Sequence, residues 1–229
     1  MNNKTAAIIV AGGTGSRMGA DIPKQFIKLN GKEIILHTLE AFEKCEFINK
    51  IVVVCHSDYL ELCRSLTALI KKDILIVCGG VTRQQSVLNG LNNISDCTYV
   101  LVHDAVRCLV DPCDIKKLHN ELIKNGSCTL AVKAKDTIKM SDNNNMVTST
   151  IPRDYLWQVQ TPQAFLVKEL IEAHNFALSS GFEATDDCSV MEHFGKEIKL
   201  VEGSYENIKI TTLSDLEIAK AFMKGSDKA

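Results

Sequence analysis

Apolar positions along the chain follow two alternating rhythms. Residues 6–10 form a short continuous apolar run, a glycine-rich stretch follows, and residues 33–44 then carry Ile35, Leu36, Leu39 and Phe42 at helical spacing. The pattern reads strand, loop, helix, and it recurs. Residues 51–55 predict a second strand, with Ser57 as N-cap of a helix running to about residue 71. Residues 74–77 predict a third strand ending at Cys78, Gly79 and Gly80, before a helix that carries Val87, Leu88 and Leu91. A fourth strand is expected at 99–102, a helix at about 112–124 and a fifth strand near 129–132. Strands apolar at every position are buried on both faces, as in a parallel sheet covered by helices on both sides. The expected fold is therefore α/β, with a Rossmann-like, mostly parallel sheet.

Between residues 135 and 159 the rhythm changes. A polar turn from Ser141 to Asn145 separates two short alternating stretches, which predicts a β-hairpin arm projecting from the main domain. A lone two-stranded arm is marginal in water, so it is expected to pack on something, a second subunit being the candidate. After Pro162 the chain is read as helical at 167–180 and again after Thr185, Asp186 and Asp187, with a strand near 198–201 and a last helix capped by Ser214 and running to about residue 223. With no internal repeat, residues 1–229 read as a single domain with 135–159 as its dimerisation arm.

Composition narrows the class. Hydrophobic residues make up 45%, charged residues 24%, and the formal charge is -2, which excludes a disordered chain and a polybasic nucleic-acid module. No apolar run approaches the roughly 18–20 residues of a membrane span, and the first apolar stretch is too short for a secretory signal. A cytoplasmic protein with no nucleic-acid or membrane partner is expected. The nine cysteines are odd in number and irregularly spaced, several of them inside apolar runs, as buried reduced thiols are.

Candidate chemistry begins directly after the first strand, at Ala11, Gly12, Gly13, Thr14, Gly15, Ser16, Arg17, Met18 and Gly19. Glycines at the carboxyl end of a strand let backbone N–H groups approach a phosphate. The segment fits neither the Walker A pattern nor the dinucleotide fingerprint, because Met18 stands where the last glycine of that fingerprint belongs. A looser glycine spacing remains, so a nicotinamide reductase stays a rival, supported by Tyr205 and Lys209 at short-chain reductase spacing. Against it stand two cations, Arg17 in the loop and Lys24 just after it. Phosphoryl transfer needs positive charge where its transition state spreads negative charge, and hydride transfer does not.

Ordered blocks extend along nearly the whole chain. They are Ala11 to Met18 with Pro23-Lys24-Gln25-Phe26; Gly79, Gly80, Arg83, Ser86, Val87 and Gly90; Val102-His103-Asp104-Ala105 with Arg107; Asp136-Thr137-Ile138-Lys139; Arg153, Leu156, Trp157 and Gln160-Thr161-Pro162-Gln163; Thr185-Asp186-Asp187; and Gly203-Ser204 with Asn207-Ile208-Lys209. In this series the chain resembles the 2-C-methyl-D-erythritol 4-phosphate cytidylyltransferases. The resemblance implies CTP as co-substrate, a polyol phosphate as acceptor, Mg2+ as cofactor and a homodimer. It implies that Arg17, Lys24 and Lys209 hold the triphosphate and stabilise the transition state, and that Asp104 binds the metal. It assigns nucleotide contacts to Ala11, Gly12, Gly13, Gly15, Gly79, Gly80, Arg83, Ser86, Asp104 and Ala105. The acceptor falls to Asp104, Arg107, Thr137, Arg153, Thr161 and Thr185, with Thr137 and Arg153 given by the arm to a neighbour's site.

Two positions depart from the family pattern. Cys108 and Lys133 stand where prolines are common, both in stretches that adjoin the acceptor residues. A ribitol 5-phosphate cytidylyltransferase, with the same chemistry and a different acceptor, is the nearer alternative. A non-catalytic nucleotide-binding scaffold is a third.

Overall fold

The computed structural model describes residues 3–13 and 22–226. Strand β1 (Thr5–Ala11) is the expected first strand, with Ile8 and Ile9 fully buried on opposite faces. A small hairpin, β2 (Lys28–Leu29) and β3 (Lys32–Glu33), leads into α1 (Ile34–Glu43). Next come β4 (Ile48–Cys55), α2 (Leu60–Thr67), β5 (Ile74–Cys78), α3 (Arg83–Leu91) and β6 (Tyr99–Asp104). The chain continues through α4 (Pro112–Asn125), β7 (Ser127–Lys133), the arm strands β8 (Lys139–Ser141) and β9 (Val147–Thr150), and β10 (Trp157–Leu166). It ends with α5 (Val167–Ser179), α6 (Asp187–His193), β11 (Lys199–Glu202) and α7 (Leu213–Ser226).

Among the described residues the main sheet has order β11-β7-β10-β6-β1-β4-β5. The pairings of β1 with β4 and β6, of β4 with β5 and of β7 with β11 are parallel, and β10 runs antiparallel between β6 and β7. The alternation of β1 divides the core. Ala7 and Ile9 face α1, α2 and α4 through Leu39, Phe42, Cys63 and Leu118, whereas Ala6 and Ile8 face α3, α5 and α6 through Val87, Leu91, Leu170 and Met191. At Gly90 a Cβ would meet Ile8 Cγ2 at 3.0 Å, so any larger residue would make Ile8 or α3 give way by a few tenths of an ångström. A third cluster of Leu29, Ile34, Cys108, Ile210, Leu216 and Ala219 seats α7.

The α/β class, the parallel sheet and the hairpin arm agree with the sequence reading; three local expectations are corrected. Ser57 does not cap α2: a 3-10 turn, Ser57–Tyr59, intervenes, its cap is the ring of His56 accepting the Asp58 N–H, and α2 ends at Thr67. Ser214 lies inside α7; Thr212 Oγ1 accepts the Asp215 N–H at 3.2 Å while Asp215 Oδ2 accepts the Thr212 N–H at 2.8 Å, a reciprocal capping box. Finally, residues 157–166 form the long central strand β10, so 157–159, expected in the arm, belong to the main sheet.

Candidate functional site

In an open parallel sheet, ligands bind beyond the carboxyl ends of the strands where the chain reverses its direction of winding. Here that crevice lies between β1 and β6, whose ends are in register at Val10 and Asp104. Ala11, Gly12 and Gly13 leave β1 at this rim. Gly15 and Arg17 lie outside the described residues. Lys24 is half-buried at the start of the 3-10 turn Lys24–Phe26. Its neighbour Gln25 is buried and donates Nε2 to Ala11 O at 2.6 Å and Gly13 O at 3.0 Å, so one amide ties the turn that carries Lys24 to the beginning of the glycine loop.

Asp104 ends β6, 7% exposed. Its Oδ2 meets Lys209 Nζ at 2.7 Å and its Oδ1 meets Arg83 Nε at 3.4 Å; Arg83 Nη1 in turn reaches Asp187 Oδ2 at 2.8 Å. Burial alone would push the Asp104 carboxyl up, but Arg83, Lys209 and Arg107 outweigh it and hold the group well below the usual carboxylate range. Asp187 is likewise held low against its own burial, chiefly by Arg83. The result is a line of fixed charges, suited to holding phosphate oxygens and a cation rather than to exchanging protons.

The next strand end supplies the second loop. Gly79 N–H continues the ladder to Cys55 O at 2.8 Å. The buried Ser86 hydroxyl accepts the Gly80 N–H at 3.0 Å, donates to Thr82 O at 2.9 Å, and would lie 3.6 Å from a Cβ at Gly12. Ser86 thus braces the β5 loop close to the β1 loop, while Thr82 provides the α3 cap. Ala105 is fully buried with both backbone groups engaged, its N–H with Val10 O at 3.0 Å and its C=O with the Thr38 hydroxyl at 2.8 Å.

Of the residues expected to hold the acceptor, Arg107 and Thr161 lie beside Asp104. Thr161 Oγ1 accepts the Asp104 N–H at 3.1 Å and stands 3.0 Å from His103 Nδ1. His103 Nε2 stands 3.2 Å from Arg107 O, which only accepts, so Nε2 carries the proton and Nδ1 takes the Thr161 hydroxyl hydrogen. Burial pushes the His103 pKa down to about 3, in keeping with this neutral ring. Thr185 is exposed just before α6, 3.4 Å from Ser189 Oγ. Thr137 and Arg153 are exposed at the root of the arm, where Arg153 Nη1 donates to Lys135 O at 2.9 Å. Among the described residues neither shares a hydrogen bond or ion pair with Asp104, Arg107 or Lys209.

Cys108 does not border these residues with its thiol in play: it is buried in the third cluster, which pushes its pKa up to about 12. Lys133 is exposed, its Nζ 5.6 Å from the centroid of the Trp157 ring. The reductase pair is not assembled either. Tyr205 donates its hydroxyl to Lys133 O at 2.9 Å, and Lys209 is held by Asp104.

Sequence reasoning gave no role to Gln25, His103, Gln160, Asp187 or Asn207, all buried polar residues inside the quoted blocks. The signal available was a polar residue amid apolar neighbours. No group of three His, Cys, Asp or Glu side chains converges among the described residues. One ionised carboxylate fits a Mg2+ ion whose other ligands are phosphate oxygens and water, and does not fit a cation caged by protein.

The sequence pattern of the 2-C-methyl-D-erythritol 4-phosphate cytidylyltransferase family matches residues 5–225. A protein of that name from Desulforamulus reducens is 42% identical over 95% of both chains, and one from Alkaliphilus oremlandii 41% identical over 97% of this chain and 96% of its own. The crystal structure of 4-diphosphocytidyl-2C-methyl-D-erythritol synthase from Anaerococcus prevotii superimposes with a TM-score of 0.88 at 32% identity, covering 98% of this chain and 100% of its own.

Proposed function

The chain belongs to the 2-C-methyl-D-erythritol 4-phosphate cytidylyltransferase family, and from that membership we propose its reaction. It transfers CMP from CTP to 2-C-methyl-D-erythritol 4-phosphate, releases pyrophosphate, and forms 4-diphosphocytidyl-2-C-methyl-D-erythritol for isoprenoid synthesis. The observation that carries this reading is Asp104, held ionised between Lys209 and Arg83 beside the glycine loop at the rim of β1 and β6.

The acceptor attacks with a phosphate oxygen that is already anionic, so the site needs no general base; it needs alignment and charge neutralisation. In this reading Lys24, Lys209 and Arg17 face the triphosphate and the negative charge on the oxygens around the α-phosphorus. Asp104 holds Mg2+, which when bound neutralises phosphate charge. Ala11, Gly12, Gly13 and Gly15 offer backbone donors to phosphate. Gly79 and Gly80, braced by Ser86, read the cytosine edge, with Arg83 and Ala105 fixing the floor beneath the nucleotide. Arg107, Thr161 and Thr185 belong to the acceptor side, completed by Thr137 and Arg153 from the arm of a second subunit in a homodimer. Residues 1–229 act as one catalytic domain with 135–156 as its arm. A cytoplasmic location is in keeping with the chain, in which no helix of the described residues is long and apolar enough to cross a membrane.

The test is pyrophosphate release with CTP and Mg2+, comparing methylerythritol 4-phosphate, ribitol 5-phosphate and no acceptor. Turnover with the first alone is expected, and chelation of the divalent ion should abolish it. Turnover with ribitol 5-phosphate instead would replace the acceptor, and silence with both would favour the non-catalytic scaffold.

A further inference from the structure

Lys209 sits on a stretch with no helix or strand, between the end of β11 at Glu202 and the start of α7 at Leu213. Its Nζ nevertheless lies 2.7 Å from Asp104 Oδ2. A long flexible side chain on an irregular segment keeps such an appointment only if its backbone is fixed. We infer that Asn207 is the positioning residue for Lys209, an inference that rests on the catalytic reading of this site.

Asn207 is fully buried two residues before the lysine. Its Nδ2 donates to Thr161 O at 2.9 Å and to Gln160 Oε1 at 3.2 Å, and its backbone carbonyl accepts Arg107 Nη1 at 2.8 Å. Its Oδ1 has no partner among the described residues. The residue therefore acts through its two N–H bonds, since a buried acceptor left unpaired only costs stability. Gln160 comes this close because residue 203 is glycine: a Cβ there would lie 2.9 Å from Gln160 Oε1. On the other side of the lysine, Ile210 N–H is fixed to Val106 O at 3.0 Å.

Thr161 is the common post. Its carbonyl receives Asn207, and its hydroxyl receives the N–H of Asp104 at 3.1 Å. The ammonium and the carboxylate that meet in the site are thus both referenced to one residue of β10. Among the described residues the Asn207 side chain makes no bond to Asp104, Arg83 or Arg107; its two Nδ2 bonds pin to β10 the segment that carries Lys209.

A double-mutant cycle tests this. Asn207→Asp keeps the shape but points a carboxylate oxygen at two acceptors. Turnover with CTP, Mg2+ and methylerythritol 4-phosphate should fall by roughly 10- to 100-fold, in the range of a catalytic group displaced by about 1 Å. Lys209→Met should fall at least as far, and the double variant no further than Lys209→Met alone. Losses that multiply in full, or unchanged turnover in Asn207→Asp, would overturn the inference. If Asn207→Asp does not fold, Gln160→Met removes one acceptor without burying a charge; its smaller loss should also vanish in the Lys209→Met background, and a loss that persists there overturns the inference. Calorimetric CTP binding supplies a readout separate from turnover. Asn207→Asp should weaken binding by no more than Lys209→Met does, and the double variant by no more than Lys209→Met alone, even if the wild type turns over no acceptor and the functional reading itself fails.

Discussion

Asp104 and His103 are neighbours on one strand with opposite electrostatic tasks. Two cations on its oxygens keep the carboxylate charged, and full burial against a threonine hydroxyl and a backbone carbonyl keeps the imidazole neutral. Replacing Asp104 by Asn would leave Arg83 and Lys209 without their shared partner and remove the carboxylate proposed to hold Mg2+; a turnover loss of about 100-fold or more, with a higher Mg2+ requirement, is expected in a metal titration of pyrophosphate release. Lys24→Ala should cost a similar factor by removing transition-state charge stabilisation. Normal turnover in that variant would remove Lys24 from the catalytic set. His103 makes a prediction about stability. Its folded pKa of about 3 lies below the unfolded value of about 6.5, so between these limits the unfolded chain binds a proton that the folded one does not. Stability should be full above about pH 6.5 and decline as acid is added, approaching ~1.4 kcal/mol per pH unit from this group. The depressed carboxyls of Asp104 and Asp187 have the same sign, but their loss begins only below about pH 4. Urea unfolding at pH 7.5 and pH 5 reads the slope, and His103→Gln should flatten it; equal slopes in the two proteins would mean that another group carries it.

At the scale of elements, what the sequence revealed depended on whether burial and polarity agreed. In β4, in β1 after Thr5 and in β6 up to Val102 the buried positions are apolar, and the runs announce themselves as strands. In β10 they do not. Gln160, Thr161 and Gln163 are buried there because each finds partners that lie far along the chain, and Pro162 interrupts the run. Gln163 accepts the N–H groups of Asp187 and Cys188 and donates to Asp186, so β10 docks the first turn of α6. No local pattern encodes such a strand, since its polar residues become core residues only once β6, β7 and α6 surround them. The site was legible in the same uneven way. Charged residues such as Lys24, Asp104 and Lys209 stand out in a sequence, whereas Gln25 and Asn207 act through amides whose partners only the fold brings near. Helix caps were misplaced for a related reason: a serine near a helix start competes with any nearby acceptor, and His56 and Thr212 have the geometry. The arm's root is testable as an element. Arg153 ties it to Lys135 O, and in the proposed homodimer its guanidinium also reaches the acceptor. Arg153→Ala should raise the acceptor KM with little change in the KM for CTP, and the opposite pattern would move Arg153 to the nucleotide side.

For the whole molecule, the arm is the part that does not explain itself within one chain. Every residue of β8 and β9 is exposed, including Met140 at 53% and Val147 at 61%, with Met146 at 66% in the turn between them. A two-stranded ribbon with apolar side chains in water is marginal alone, and its apolar surface is what a second subunit would cover. If the arm completes a neighbour's site, each site in the dimer uses Lys24 and Asp104 from one chain and Arg153 from the other. Lys24→Ala and Arg153→Ala chains, each weakly active alone, should then complement when reassorted into mixed dimers. In a mixed dimer one site receives an intact Lys24 from the Arg153→Ala chain and an intact arm from the Lys24→Ala chain, while the other site carries both defects. Random reassortment makes about half of the dimers mixed, so activity should recover to about a quarter of the wild-type level. If the arm folds back on its own subunit, every site in the mixture keeps one defect. The mixed sample would then show only the average of its two parents, and the arm would have to be assigned to the chain that carries it.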